Sequence, residues 1–186
     1  MTNPLRRRGM AAVAILLAGA CRQMPDRPCT ASLIELMPKP DTFAADAGMT
    51  TPDRGVSAES GAHPSSVCSV GYSLRGGTIA TLNLYKFEEP SAAETGFKNL
   101  AAVAGSINPD FDTPVEPLEV TDAAPHADGL YIECHMRAGD TYCTVVARYA
   151  VTTYWLSVSH LAASGFTEAD LARVVDALDG RLTTRQ

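Results

Sequence analysis

Near the C-terminal end of the chain, two runs of alternating residues flank a turn, and each run carries one cysteine. Leu130, Ile132, Cys134 and Met136 alternate with Tyr131, Glu133 and His135; Ala138-Gly139 reverses the chain; Cys143, Val145, Ala147 and Tyr149 then resume the alternation. Successive strand side chains point to opposite faces, so this period of two predicts a hairpin with one apolar face. With Ala138 and Gly139 as the loop, Arg137 faces Asp140, Met136 faces Thr141, and Cys134 falls opposite Cys143. Counting outward, the cysteines occupy a non-hydrogen-bonded position, where Cα atoms approach to about 4.5 Å and side chains are closest. The register therefore predicts a Cys134–Cys143 disulfide and, of the three connectivities open to four cysteines, pairs Cys29 with Cys68. Ala-Gly is a weaker hairpin turn than Asn-Gly, and a slip of one residue would take the cysteines out of opposition.

A third strand is predicted over Thr153 to Leu161, with Tyr154, Leu156 and Val158 on one side and Trp155, Ser157 and Ser159 on the other. His160 continues the inward pattern as a strand-end histidine. A turn at Val151-Thr152 would set Arg148 opposite Trp155, a guanidinium over an indole face. The closing helix has a marked start, with Thr167 as cap, Asp170 three residues on and Phe166 stapling against Leu171. Leu171, Val174, Val175, Leu178 and Leu182 line one helical face that must pack on the sheet.

Upstream, Cys29 to Met37 reads as a brief helix stopped by Pro38 and Pro40. Residues 44–66 lack periodicity and large apolar groups, which predicts a long surface loop. A Cys29–Cys68 bridge would close it, with roughly 4 kcal/mol of stabilisation in the loop-entropy model. Val67 to Ser73 and Thr78 to Phe87 flank Arg75-Gly76-Gly77 as a second hairpin. After Pro90, Ser91 and Glu94 have capping-box spacing, and Phe97, Leu100, Ala101 and Ala104 form a helical stripe ended by Gly105 or Asn108-Pro109. The Pro-broken segment Asp110 to Asp128 holds at most one edge strand, near Leu118 to Thr121. This order of elements predicts an α+β domain over 29–186, an antiparallel sheet of about five to six strands packed with two main helices.

The N-terminus predicts the compartment. Arg6, Arg7 and Arg8 precede a twelve-residue apolar and small run, Gly9 to Ala20, which ends at Cys21. That is a secretory signal layout over 1–20, followed by a tether over 21–28. The run is shorter than the ~20 residues that span a bilayer. Leu17-Ala18-Gly19-Ala20-Cys21 resembles the lipobox of bacterial lipoproteins, whose cysteine is acylated, although Ala18 stands where that pattern prefers Leu, Val or Ile. Plain secretion with Cys21 as a free or paired thiol is the alternative. The lipobox reading implies a lipid anchor on the outer face of the cell membrane, where stable attachment takes about two acyl chains or more. Outside the reducing cytosol, Cys29, Cys68, Cys134 and Cys143 are available for two disulfides. Their spacings lack the close pairs of a zinc site, so no metal is expected. The 15 basic and 21 acidic residues give a net charge of -6, and removing the three arginines makes the balance more acidic still. Nucleic acid is therefore excluded as a partner recognised through phosphate charge.

No catalytic motif or cofactor signature is present: Gly-x-Ser-x-Gly, His-Glu-x-x-His, a phosphate loop and Cys-x-x-Cys are all missing. His63, His126, His135 and His160 are isolated. His126 with Asp128 reads as a solvated loop pair, Glu88-Glu89 as a helix entry, and Ser65-Ser66 near His63 lacks a supporting acid or base. The remaining candidate is the meander face away from the cysteines. It carries Tyr131, Glu133 and His135, then Tyr142, Thr144 and Arg148, then Trp155, Ser157 and Ser159. Alternating aromatic and polar groups of this kind suit a sugar, a peptide or a lipid headgroup; an amphipathic outer face, or one covered by a helix, has the same pattern.

The lipobox, Cys29 soon after it, a long Pro/Gly/Ser/Ala loop, Val67-Cys68-Ser69-Val70-Gly71-Tyr72, an Ala-rich helix, the meander and a terminal Leu/Val helix follow one another. In this order the chain resembles the small envelope lipoproteins of actinobacteria, which look related to the extracellular sensor domain of mycobacterial receptor serine/threonine kinases. The resemblance spans most of the mature chain and rests on spacing; Tyr72 only loosely fills the aromatic position after the second cysteine. It implies a sheet packed with helices similar to the Mog1/PsbP type, and no established activity. The expected function is a tethered binding or sensor module for an envelope glycan, lipid or protein. An accessory subunit of an envelope or secretion complex is the first alternative. An envelope hydrolase, using His135 with Glu133 or His126 with Asp128, is the second.

Overall fold

A computed structural model describes residues 29–43, 62–74, 79–106, 108–116, 120, 122–159, 161 and 166–184. Six strands, β1 (Ser66–Ser73), β2 (Ile79–Lys86), β3 (Thr113–Val115), β4 (Gly129–Arg137), β5 (Asp140–Tyr149) and β6 (Thr152–Val158), form one open antiparallel sheet in the order β1-β2-β6-β5-β4-β3. The helices are α1 (Ala31–Ile34), α2 (Pro90–Ala104) and α3 (Glu168–Thr183), with a 3-10 turn at Pro40–Phe43. The class is α+β. The signal segment, Cys21, the tether, residues 44–61 of the long loop, the Arg75-Gly76-Gly77 turn and His160 lie outside the described residues. No helix among the described residues is long and apolar enough to cross a membrane.

The β4–β5 hairpin turns at Ala138-Gly139, and Cys134 lies opposite Cys143. Both turn residues have positive φ, 52° at Ala138 and 89° at Gly139, the combination that matches the right-handed twist of a two-residue hairpin. Glycine takes the second position without steric cost. Two disulfides form, Cys134–Cys143 with Cα atoms 4.2 Å apart and Cys29–Cys68 with Cα atoms 4.7 Å apart.

The next hairpin turns one residue earlier than the expected Val151-Thr152. Tyr149 pairs with Thr152, so Arg148 lies opposite Thr153 and Trp155 opposite Val146, not opposite each other. The turn is pinned from outside: the Ala150 amide donates to Asp128 Oδ2 at 2.6 Å, and the Val151 carbonyl accepts from the Phe87 amide at 2.8 Å. Moving a turn by one residue changes the pairing by two, so each side chain keeps its face.

Three other elements differ from expectation. α2 begins at Pro90 with Glu89 as its cap and no side-chain cap bond, because Pro at the first helical position supplies the helical φ and lacks only a hydrogen that would be unpaired anyway. Glu94 pairs instead with Lys98 at 2.6 Å, one turn along. The edge strand is Thr113–Val115, with Pro114 opposite His135, a place where a missing N–H is tolerated. Leu118, Glu119 and Thr121 of the expected strand lie outside the described residues, and Val120 is buried. α1 is a single turn that ends at Ile34, short of Met37. The capping box of α3 is present: the Thr167 hydroxyl accepts from the Asp170 amide, and Asp170 accepts from the Thr167 amide at 2.7 Å.

Helices cover both faces of the sheet. On the inner face, Val70, Tyr72, Leu82, Leu84, Val145 and Leu156 pack with Leu171, Val174, Val175, Leu178 and Leu182 of α3 and with Leu33 and Phe43. On the outer face a second cluster joins Tyr85, Phe87 and Val146 to Ala93 and Leu100 of α2, with Phe97, Tyr131 and Trp155 against it. Gly96 makes this close seating feasible, since a Cβ there would lie 2.5 Å from the Phe87 ring.

Candidate binding surface

Strand registers arrange the outer face in rows across the sheet. One row runs Val67, Tyr85, Thr153, Arg148; the next runs Ser69, Asn83, Trp155, Val146, Tyr131. α2 lies over these two rows. The Thr153 hydroxyl reaches the Ala93 carbonyl at 3.5 Å. The Glu94 carboxyl is held below its usual range, first by the hydrogen bond from Lys98, with a smaller contribution from the Arg148 charge. At the helix end, a Cβ on Gly105 would sit 2.5 Å from the Tyr131 hydroxyl. Of the residues that sequence reasoning grouped as a binding surface, Tyr131, Arg148 and Trp155 thus seat a helix. Arg148 also holds Asp128, with Nη1 3.7 Å from Oδ2 and Nη2 donating to the Asp128 carbonyl at 3.3 Å.

Beyond the C-terminal end of α2 lie two further rows. Thr81, Ser157, Thr144 and Glu133 form one; Ile79, Ser159, Tyr142 and His135 form the other, with Ser159 joined to Ile79 by its amide at 3.2 Å. Glu133, His135 and Tyr142, with Thr144, Ser157 and Ser159, are the members of the expected surface that fall here. They are half-buried, and Ile79 is 56% exposed.

Local chemistry fixes this strip. The His135 and Tyr142 rings stack with centroids 5.5 Å apart and planes within 9°. Behind them Asp112 is buried and accepts two bonds from Arg137, Nε at 2.7 Å and Nη2 at 2.8 Å, together with the Asn108 amide at 2.8 Å. The Arg137 hydrogen bonds hold its carboxyl down at about 2, outweighing the cost of burial. His135 Nε2 is 3.7 Å from Asp112 Oδ1, and its buried Nδ1 has no hydrogen-bond partner among the described residues. Tyr131 donates to Glu133 Oε2 at 3.0 Å, orienting that carboxylate, while burial and the Glu133 carboxylate raise the phenol. The strip thus offers a carboxylate acceptor, a row of hydroxyls and an aromatic pair on a rigid sheet. Among the described residues no group of three or more His, Cys, Asp or Glu is placed to hold a metal ion.

His126 and Asp128 do not form the loop pair that their spacing suggests. His126 Nδ1 lies 2.6 Å from Asp179 Oδ2 on α3, and its amide reaches Oδ1 at 3.2 Å. Asp179 also accepts from the Tyr149 hydroxyl at 2.8 Å, beside the buried Tyr154. Burial pushes both phenols well above their ordinary value. Sequence reasoning passed over this cluster. Its visible signal was polar hydroxyls at the inward positions 149 and 154, and an acid at 179 inside the apolar stripe of α3.

Comparison with known proteins yields no family model, no curated protein and no solved structure that matches this chain.

Proposed function

We propose that the chain is an extracytoplasmic binding module, held to the outer face of the cell membrane by lipid on Cys21, that engages an envelope glycan on the sheet face beyond α2. The observation that carries this reading is the row of Ser and Thr hydroxyls that ends at Glu133 and runs beside the row holding the Tyr142–His135 ring pair. Hydroxyl-rich ligands are recognised by such acceptors and by aromatic faces, and a rigid sheet positions them at little entropic cost. Two disulfides support the oxidising compartment. The tether supports attachment without a spanning helix. Binding and release complete this role, and no covalent step is assigned.

Titration of isotope-labelled protein with soluble fragments of the envelope polysaccharide tests it. Amide shifts are expected to cluster at residues 133, 135, 142, 144 and 157. Shifts confined to α2, or none at saturating ligand, would reject the reading. For the anchor, intact-mass analysis of the membrane fraction should show diacylglyceryl on Cys21, and Cys21→Ser should release the protein.

A second reading, an accessory subunit of an envelope complex, draws on Phe111 and Met136, which are 68% and 41% exposed at the β3–β4 edge. Cross-linking from position 111 in intact cells distinguishes the two, since only this reading places a protein partner there.

A further inference from the structure

At the opposite end of the sheet from Tyr142, a cavity of about 340 Å³ opens between α1, the end of β2, the β5–β6 turn and the last turn of α3. Leu33, Leu36, Val151 and Leu182 give it apolar walls. Ser32, Lys86 and Thr152 are the polar residues of its lining whose side chains are not committed to Asp179. Tyr149 also lines it, but its hydroxyl is committed to Asp179 at 2.8 Å. Among the described residues no acidic residue contributes to the lining and Lys86 makes no ion pair.

An apolar recess with one cation at its edge suits a molecule with the converse pattern, a short tail ending in a negative charge. We propose that this cavity binds a single-chain amphipathic anion, with the tail over Leu36, Ala150 and Val151 and the head group on Lys86 Nζ. A volume near the bottom of the ~300–1,000 Å³ range of small-molecule sites admits one short chain and leaves no room for a two-tailed lipid. The site lies at the other end of the sheet from the Tyr142 strip, so each can fail without the other.

Aliphatic carboxylates are the probe, titrated into the purified full chain by calorimetry. Hexanoate, octanoate and decanoate should bind at one site, tightening by roughly fourfold per added methylene until the cavity is full. Octyltrimethylammonium should not bind. Ser32 and Lys86 are both exposed, so changing them leaves the core intact, as circular dichroism would verify. Ser32→Trp should abolish octanoate binding by filling the mouth, and Lys86→Gln should weaken it by about tenfold. Absence of saturable octanoate binding, or binding that survives Ser32→Trp, overturns the site. Equal affinity for the cationic probe, or an unchanged affinity in Lys86→Gln, overturns the assignment of an anion.

Discussion

The two faces of the one sheet are built from strands of the same length and alternation, yet they come to different ends. Inward residues of five strands merge into a single cluster with α3, from Val70 and Leu84 to Val145 and Leu156, all buried. Outward residues divide at the end of α2: Thr153 and Val146 are buried under the helix with Trp155 half-buried against it, while Ser157, Thr144 and Glu133 lie half-buried beyond it. Period-two alternation tells which residues share a face. It does not tell how far along that face a helix reaches. Here the reach is set by Pro90 at one end and by Gly105 against Tyr131 at the other.

Variants can break or sharpen this contrast. The largest effect is expected on the inner face, where Leu156→Ala should cost about 2–5 kcal/mol and lower the urea midpoint in proportion. Under α2, Gly96→Ala should cost about 1–3 kcal/mol, because the new methyl meets the Phe87 ring. Suppressors at position 87 with a smaller side chain should recover it, and an unchanged midpoint in Gly96→Ala would mean that α2 does not seat on the sheet. A smaller, pH-dependent effect belongs to the edge of the strip. The Asp112 carboxyl is depressed from its ordinary value of 3.8 to about 2 in the folded chain, so its contribution is present above pH about 4 and fades as pH falls through about 2. Asp112→Asn should remove that segment of the stability profile and lower stability by a constant amount above pH 5, leaving the slope there as in the parent chain. The smallest effect is expected on the strip itself, where Ser157→Ala should change stability by less than ~0.5 kcal/mol while lowering ligand affinity.

Much of this architecture is legible in the amino-acid sequence. Alternation around Ala138-Gly139 gave the register that joins Cys134 to Cys143, and Thr167 with Asp170 marked the start of α3. The misplaced features share a cause in contacts distant along the chain. The β5–β6 turn is fixed by Asp128 and Phe87, residues that no local pattern around 150 reveals. β3 forms at 113–115 beside the Asp112–Arg137 ion pair, which joins residues 25 apart in the sequence. The Asp179 cluster brings together residues 126, 149 and 179, which only the packed helix makes neighbours. Within the candidate surface, alternation put these residues on one face and could not divide that face, since Trp155 and Tyr142 carry the same signal until α2 is in place.

The division itself is open to one direct measurement: thermal stability and glycan affinity of Tyr142→Ala and Trp155→Ala, determined side by side. Tyr142→Ala should lose affinity by about tenfold or more while its Tm stays within a few degrees, and Trp155→Ala should lose stability by about 1–3 kcal/mol while the folded fraction binds as before. Lost affinity in folded Trp155→Ala with full affinity in Tyr142→Ala would contradict a binding face beyond α2.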